Sequence, residues 1–135
     1  MTTPVVIAAD DYALAPGVSR AIIELIKQGR VSATGCMTVS PFWKEHAEWL
    51  RPWRGHADIG LHITLTDHAA LGPMPRLAPG GRLPDLKTLL RLALTGGLDM
   101  PEIALEVQRQ VDAFTRRFGQ PPAYLDGHQH VHLLP

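Results

Sequence analysis

Short apolar runs rich in β-branched residues alternate with helix-period segments along the chain, and this alternation restricts the fold more than any other feature. Pro4-Val5-Val6-Ile7-Ala8-Ala9 predicts a buried strand that stops at Asp10-Asp11. A helix is predicted from about Pro16 or Gly17 to Gln28, with Val18, Ile22, Ile23, Leu25 and Ile26 as its apolar stripe and Gly29 as its closing glycine. Val31 to Val39 reads as a second strand. Ser40-Pro41 then supplies a cap and a first-turn proline for a short helix from Phe42 to Leu50. Asp58 to Thr66 alternates Ile59, Leu61, Ile63 and Leu65 with Gly60, His62, Thr64 and Thr66, which predicts a two-faced strand. The loop from Asp67 to Gly81 is long enough to be functional or mobile rather than a plain connector. A helix over Asp85–Leu94 follows. Asp99-Met100-Pro101-Glu102 opens a stronger one with Ile103, Val107, Val111, Phe114 and Phe118 on its apolar face and Gly119 at its end. Ala123 to His132 reads as the last strand.

This rhythm is that of parallel βα units in an α/β fold, strands paired side by side under covering helices. An apolar content of 45% supports a packed core. The chain stops at Pro135, directly after a strand and without the helix that should cover it. The expectation is therefore a single α/β domain over residues 1–135 that forms the N-terminal half of a larger (β/α) barrel. More chain or a second copy would complete the sheet, and the uncovered edge predicts a homo-oligomer.

Lys plus Arg and Asp plus Glu both number 13, so the chain has no net charge with which to attract nucleic acid or an anionic membrane surface. It contains no apolar run near the roughly 18 residues a bilayer requires. The start, MTTPVVIAADD, lacks the basic region of a signal peptide, which points to the cytoplasm. A single cysteine, Cys36, excludes an internal disulfide framework and a cysteine-based zinc cluster. Set in an apolar strand with no basic neighbour, it reads as a buried residue rather than a nucleophile.

Three motifs can carry chemistry. Asp10-Asp11 falls at the carboxyl end of the first strand, the edge where parallel α/β folds collect their sites. An isolated Asp pair is often only a helix cap with a solvated neighbour, but adjacent carboxylates also favour a cation. His62 sits on the less apolar face of its strand with Gly60 two residues before it, leaving room beside the ring. Asp126-Gly127-His128-Gln129-His130-Val131-His132 is the strongest motif. If extended, it aligns Asp126, His128, His130 and His132 on one face, a row that would be hard to bury. Alternate residues of a strand lie about 6.6 Å apart, so one ion bound at about 2.0–2.2 Å can take one member of the row, at most two. Asp11, His62 and one histidine of this cluster thus form a two-histidine, one-carboxylate set with open coordination positions. Trp43 and Trp49 read as core rather than as sugar-stacking rings, a role also open to Trp53 and Tyr124.

Ala9-Asp10-Asp11-Tyr12-Ala13-Leu14, Gly60-Leu61-His62 and Tyr124-Leu125-Asp126-Gly127-His128-Gln129-His130-Val131-His132 together resemble the signature blocks of the YdjC-like family, in the same order and spacing. The resemblance runs from the first strand to the last residue. It implies a barrel like that of the polysaccharide deacetylases, a divalent metal (magnesium or zinc) held by Asp11, His62 and His128, and Asp10 as general base. His130 is the candidate proton donor because it shares the face of His128. The implied activity is metal-dependent hydrolysis of N-acetyl groups from amino sugars or oligosaccharides. Another metal-dependent hydrolase, a phosphoesterase or amidohydrolase, and a non-catalytic metal-binding module are the alternatives. Family members carry Phe-Gly where this chain has Tyr12-Ala13, so a positive φ at that turn would strain Ala13. They are also considerably longer.

Overall fold

A computed structural model describes residues 3–135. Met1 and Thr2, the first residues of the expected domain and of the start without a basic region, lie outside the described residues. Strands β1 (Ala8–Tyr12), β2 (Ala33–Cys36), β3 (Asp58–Ile63) and β4 (Leu125–Gly127) pair in sequence order, every pair parallel. Helix α1 (Pro16–Lys27) follows β1 and α2 (Trp43–Leu50) follows β2; α3 (Leu86–Leu94) and α4 (Met100–Phe118) lie between β3 and β4. Parallel pairing brings the carboxyl ends of all four strands to one edge. The register sets Tyr12 beside Cys36, Cys36 beside Leu61, and His62 beside Asp126. The α/β class read from the sequence is the class observed.

The local signals act as expected on α4, whereas α2 starts at Trp43 with Phe42 rather than Ser40 at its N-cap and no side-chain cap. The Asp99 carboxylate accepts the Glu102 N–H at 3.0 Å, and Gly119 closes α4 in the left-handed conformation at φ 86°. Ile22 and Ile26 of α1 pack against Tyr12, Trp43, Leu50, Ile59, Leu61, Phe114 and Phe118, joining three helices to the sheet. A second cluster of Leu65, Met74, Leu77, Leu83, Leu89, Ile103 and Val131 lies beneath the long loop.

That loop is fastened by a polar row the apolar stripe of α4 conceals. Glu102, Glu106 and Gln110 recur every fourth residue and are buried. Glu102 accepts the N–H groups of Arg76 and Leu77 at 2.9 and 3.0 Å, and Glu106 accepts that of Leu71 at 2.8 Å. Arg109 neutralises Glu106 from 3.1 Å. Beyond the end of β3, the Gln110 amide bonds both the N–H and the carbonyl of Thr64, at 3.0 and 2.8 Å, much as a neighbouring strand would.

All four strands depart from their expected bounds, β3 by ending at Ile63 rather than Thr66. β1 starts later and runs through Asp10-Asp11, while Val5, Val6 and Ile7 are exposed at the outer edge of the sheet. The acidic pair does not end the strand because the β1–β2 register slips between Ala9 and Tyr12, a bulge that absorbs Asp11 at φ 62°. β2 covers only the centre of the run from Val31 to Val39. The last strand ends at Gly127, and His128–Leu133 coils into a 3-10 segment with Gln129 and His130 at φ 53° and 58°. Two anchors draw the chain out of the sheet there. Thr66 Oγ1 donates to Gln129 Oε1 at 2.7 Å, and Val131 turns into the second apolar cluster. The single row of Asp126, His128, His130 and His132 is accordingly not formed.

Candidate metal centre

Each strand contributes to the site at the carboxyl edge. β1 delivers Asp10 and Asp11 through its bulge, β3 delivers His62, and β4 delivers Asp126 just before the turn that carries His128. The left-handed turn after β1 is tied at both ends: Ala13 sits at φ 75°, its N–H bonded to Ser19 Oγ at 3.0 Å and its carbonyl to Ser40 Oγ at 2.5 Å. The positive φ raised as a source of strain at Ala13 is thus present.

Asp11, His62 and His128 converge. Asp11 Oδ1 lies 2.8 Å from His128 Nδ1 and 3.3 Å from His62 Nε2. Their donor atoms all lie within 4.8 Å of one another. Asp126 Oδ1 meets the other ring nitrogen of His62 at 2.7 Å. Asp10, His62 and Asp126 form a second group of the same compactness. His62 is buried, with 4% of its side chain exposed, whereas Asp11 retains 34%.

The donor chemistry suits a cation. In a neutral His62 ring, Nδ1–H donates a hydrogen bond to Asp126, which leaves the lone pair on Nε2. That lone pair then points at a carboxylate oxygen 3.3 Å away, acceptor against acceptor. A proton or a metal ion between them removes the conflict, and a carboxylate behind the imidazole is the usual support of a metal-bound histidine. One carboxylate and two imidazoles suit zinc and its divalent neighbours, and the carboxylate also suits magnesium.

His130 is not drawn into this set. It is exposed beyond the left-handed kink, with its ring 6.3 Å from that of His132. The histidine that does stand beside the cluster is His68, which the sequence reading left in the loop after β3. Its ring lies 5.9 Å from that of His128, and its Nδ1 is engaged with the Thr66 carbonyl at 3.1 Å. Gly35 was also overlooked: a methyl group there would lie 3.1 Å from both His62 Nδ1 and Asp126 Oδ1. A glycine at the centre of a strand was the available clue. The room foreseen beside Gly60 is filled by the ring of Tyr124, 2.5 Å from where a Cβ would stand, so that face of the ring packs on backbone. Burial, and then nearby Asp126, pushes the Tyr124 hydroxyl well above the ordinary phenol range and keeps it neutral. Burial does the same to the Cys36 thiol, with Asp126 adding to it, in keeping with an unreactive residue. Trp43 is core, stacked on Phe114 at 5.4 Å.

No helix among the described residues is long and apolar enough to cross a membrane. The chain is 40% identical over 131 residues to a chitooligosaccharide deacetylase of Serratia marcescens, covering 96% of this chain and 51% of that protein. It is 36% identical over 129 residues to the same-named protein of Proteus mirabilis, covering 96% and 50%. It thus spans about half the length of the curated relatives it matches. A crystal structure of an Enterococcus faecalis V583 protein named for cellobiose-phosphate cleavage superposes with a TM-score of 0.80 at 27% identity, over 94% of this chain and 49% of that one. The sequence model of the YdjC-like proteins matches residues 4–135, and with it the chain belongs to the YdjC-like protein family.

Proposed function

We propose that residues 1–135 are one α/β unit, the N-terminal half of a (β/α) barrel, and that the completed barrel is a metal-dependent deacetylase removing N-acetyl groups from amino sugars or oligosaccharides. The observation that carries this reading is the convergence of Asp11, His62 and His128 on one point, with Asp126 behind His62. The deacetylase names of the half-matched relatives support the substrate class. A bound magnesium or zinc ion would acidify water and polarise the amide carbonyl. Asp10, exposed beside the cluster, accepts the proton of the attacking water. Asp126 holds His62 in the ligating tautomer, and Asp11 and His128 complete the grip. Two histidines are open to the departing amine. His68 stands beside the cluster, its ring 5.9 Å from that of His128, whereas His130 is exposed and outside it.

Cleavage of a phosphorylated disaccharide is the second reading, favoured by the name of the Enterococcus faecalis neighbour. Acetate release from N-acetylated chitooligosaccharides and sugar release from a cellobiose phosphate, each with added magnesium or zinc, separate the two. The chain should be compared with a version extended through the strands that follow. Acetate release by the extended version, abolished in Asp10→Asn with metal retained, is the expected result. Absence of acetate from both versions defeats the reading. The unpaired outer edges of β1 and β4, with Val5, Val6, Ile7 and Leu125 exposed, support self-association of the 135-residue chain. Light scattering should give more than a monomer. A cytoplasmic setting is proposed with this function.

A further inference from the structure

The turn that aims Asp11 is strained, and its support comes from outside the site. Asp11 and Ala13 both hold positive φ, 62° and 75°, a region that side-chain-bearing L residues rarely adopt because Cβ crowds the following carbonyl oxygen. Such a conformation persists only where the surroundings fix it. Ala13 is fully buried, and its N–H is accepted by Ser19 Oγ on α1. The same Ser19 hydroxyl meets Nδ1 of His46 on α2 at 2.8 Å. The His46 ring is in turn held between Trp49, with centroids 4.1 Å apart at 23°, and Phe42, 5.4 Å apart at 12°. Tyr12, between the two strained residues, donates its hydroxyl proton to the His46 carbonyl at 2.8 Å.

Ser19 is fully buried, so its hydroxyl has no water to turn to. With its oxygen accepting from Ala13, its proton is directed to the lone pair on His46 Nδ1. His46 therefore orients Ser19, and Ser19 pins Ala13. Ala13 in turn is two residues from the carboxylate that meets His62 and His128. We infer that Ser19 and His46 are positioning residues that lock the turn after β1, so that the packing of α1 on α2 sets the reach of Asp11 toward His62 and His128. The inference rests on Asp11 being a metal ligand for its effect on metal, but its geometric part does not.

The test compares Ser19→Ala, Ser19→Thr and Leu89→Ala in the full chain. Leu89 is buried in the second apolar cluster, away from the turn, and controls for loss of stability alone. Each variant is titrated with Mn2+ by calorimetry, and its melting temperature is measured. Its His128 side-chain nitrogen resonances are recorded without metal. Ser19→Ala is expected to weaken Mn2+ binding by about tenfold, the range seen when the support of a ligand is removed. Ser19→Thr, which keeps the hydroxyl, should restore it. Leu89→Ala should melt earlier with binding intact. Ser19→Ala binding within twofold of the parent, or equal weakening in Leu89→Ala, overturns the inference. If the parent takes up no Mn2+, the metal reading fails by itself and the resonances decide. The Nδ1 signal of His128, bonded to Asp11, should move in Ser19→Ala and return in Ser19→Thr. An unmoved signal overturns the inference.

Discussion

Asp126 and Asp11 hold opposite edges of one imidazole: His62 Nδ1 is 2.7 Å from the first carboxylate, and Nε2 is 3.3 Å from the second. Only the Asp126 contact is a settled donor–acceptor pair in the neutral ring, so Asp126 decides which nitrogen is free to bind. Asp126→Asn keeps the size but replaces an anionic acceptor by an amide, and weakens the hold on the Nδ1 proton. Metal affinity should fall by about 10- to 100-fold, with the melting temperature little changed. Calorimetric titration with Zn2+ or Mn2+ checks this, and unchanged affinity would assign Asp126 to the fold alone.

His128 is the member of the candidate metal group delivered by a turn rather than a strand, and 14% of its side chain is exposed. Its replacement by Ala removes one of three donor atoms but little core packing. His128→Ala should lose bound metal while keeping its far-ultraviolet circular dichroism, at a stability cost of about 1–2 kcal/mol from the lost Asp11 contact. Metal analysis after gel filtration gives the answer; full occupancy would remove His128 from the centre.

Asp11, His62 and His128 were legible in the sequence, but part of their arrangement was not, nor were His68 and Gly35 beside them. Asp11 and His62 could be assigned from strand position, because a parallel sheet sends every carboxyl end to one edge. The histidine row misled, since alternation of His with other residues satisfies a strand pattern equally well when the chain leaves the sheet after Gly127. What turns it there, the Thr66–Gln129 bond and the burial of Val131, involves partners 63 residues apart in one case and a distant cluster in the other. Glu102, Glu106 and Gln110 were hidden for a similar reason. Charged residues at helical spacing usually mark a solvated face, and only the loop folding back over α4 makes them internal.

Gly35 and Gly60 are register partners on neighbouring strands and differ in what a methyl group would strike. At Gly35 it would lie 3.1 Å from the His62–Asp126 pair, a tight contact that small shifts can relieve. At Gly60 it would lie 2.5 Å from the Tyr124 ring, an overlap that needs the whole ring to move. Gly35→Ala should lower metal affinity more than stability. Gly60→Ala should destabilise by about 1–3 kcal/mol, as overpacking of a filled space does. Paired urea unfolding and metal titration read both, and the reverse ranking would contradict the geometry.

Ala13 balances opposing effects of similar size. Glycine would relieve about 1–2 kcal/mol of left-handed strain. It would also remove a buried methyl group worth about 0.8 kcal/mol and add about 0.4–1 kcal/mol of unfolded-chain entropy. Ala13→Gly should therefore stay within about 1 kcal/mol of the parent. Ala13→Val adds bulk at a fully buried site and a branched Cβ at φ 75°, and should cost about 3 kcal/mol. Urea unfolding of the two variants tests the pair, and a tolerated valine would mean that the turn is not left-handed in solution.

His46 gives the fold a pH dependence separate from that of the metal ligands. Burial pushes its pKa below the ordinary 6.5, with Arg20 acting in the same direction and Glu45 against it. Tyr12 and Ser19 contact it as neutral hydroxyls. On acidification below about pH 6.5 the unfolded chain takes up a proton that the folded chain refuses, so stability falls as pH drops through that value toward the lowered one. Above it both states are neutral and the contribution is flat. Protonation would also fill Nδ1, the nitrogen that receives the Ser19 hydroxyl proton, and so slacken the hold on Ala13. The parent should lose more stability than His46→Gln between about pH 7.5 and about pH 5.5. Every other side chain is common to both proteins, so the difference between them isolates His46. Urea midpoints at the two pH values measure it, and equal losses in parent and variant would show that His46 carries its proton as readily folded as unfolded.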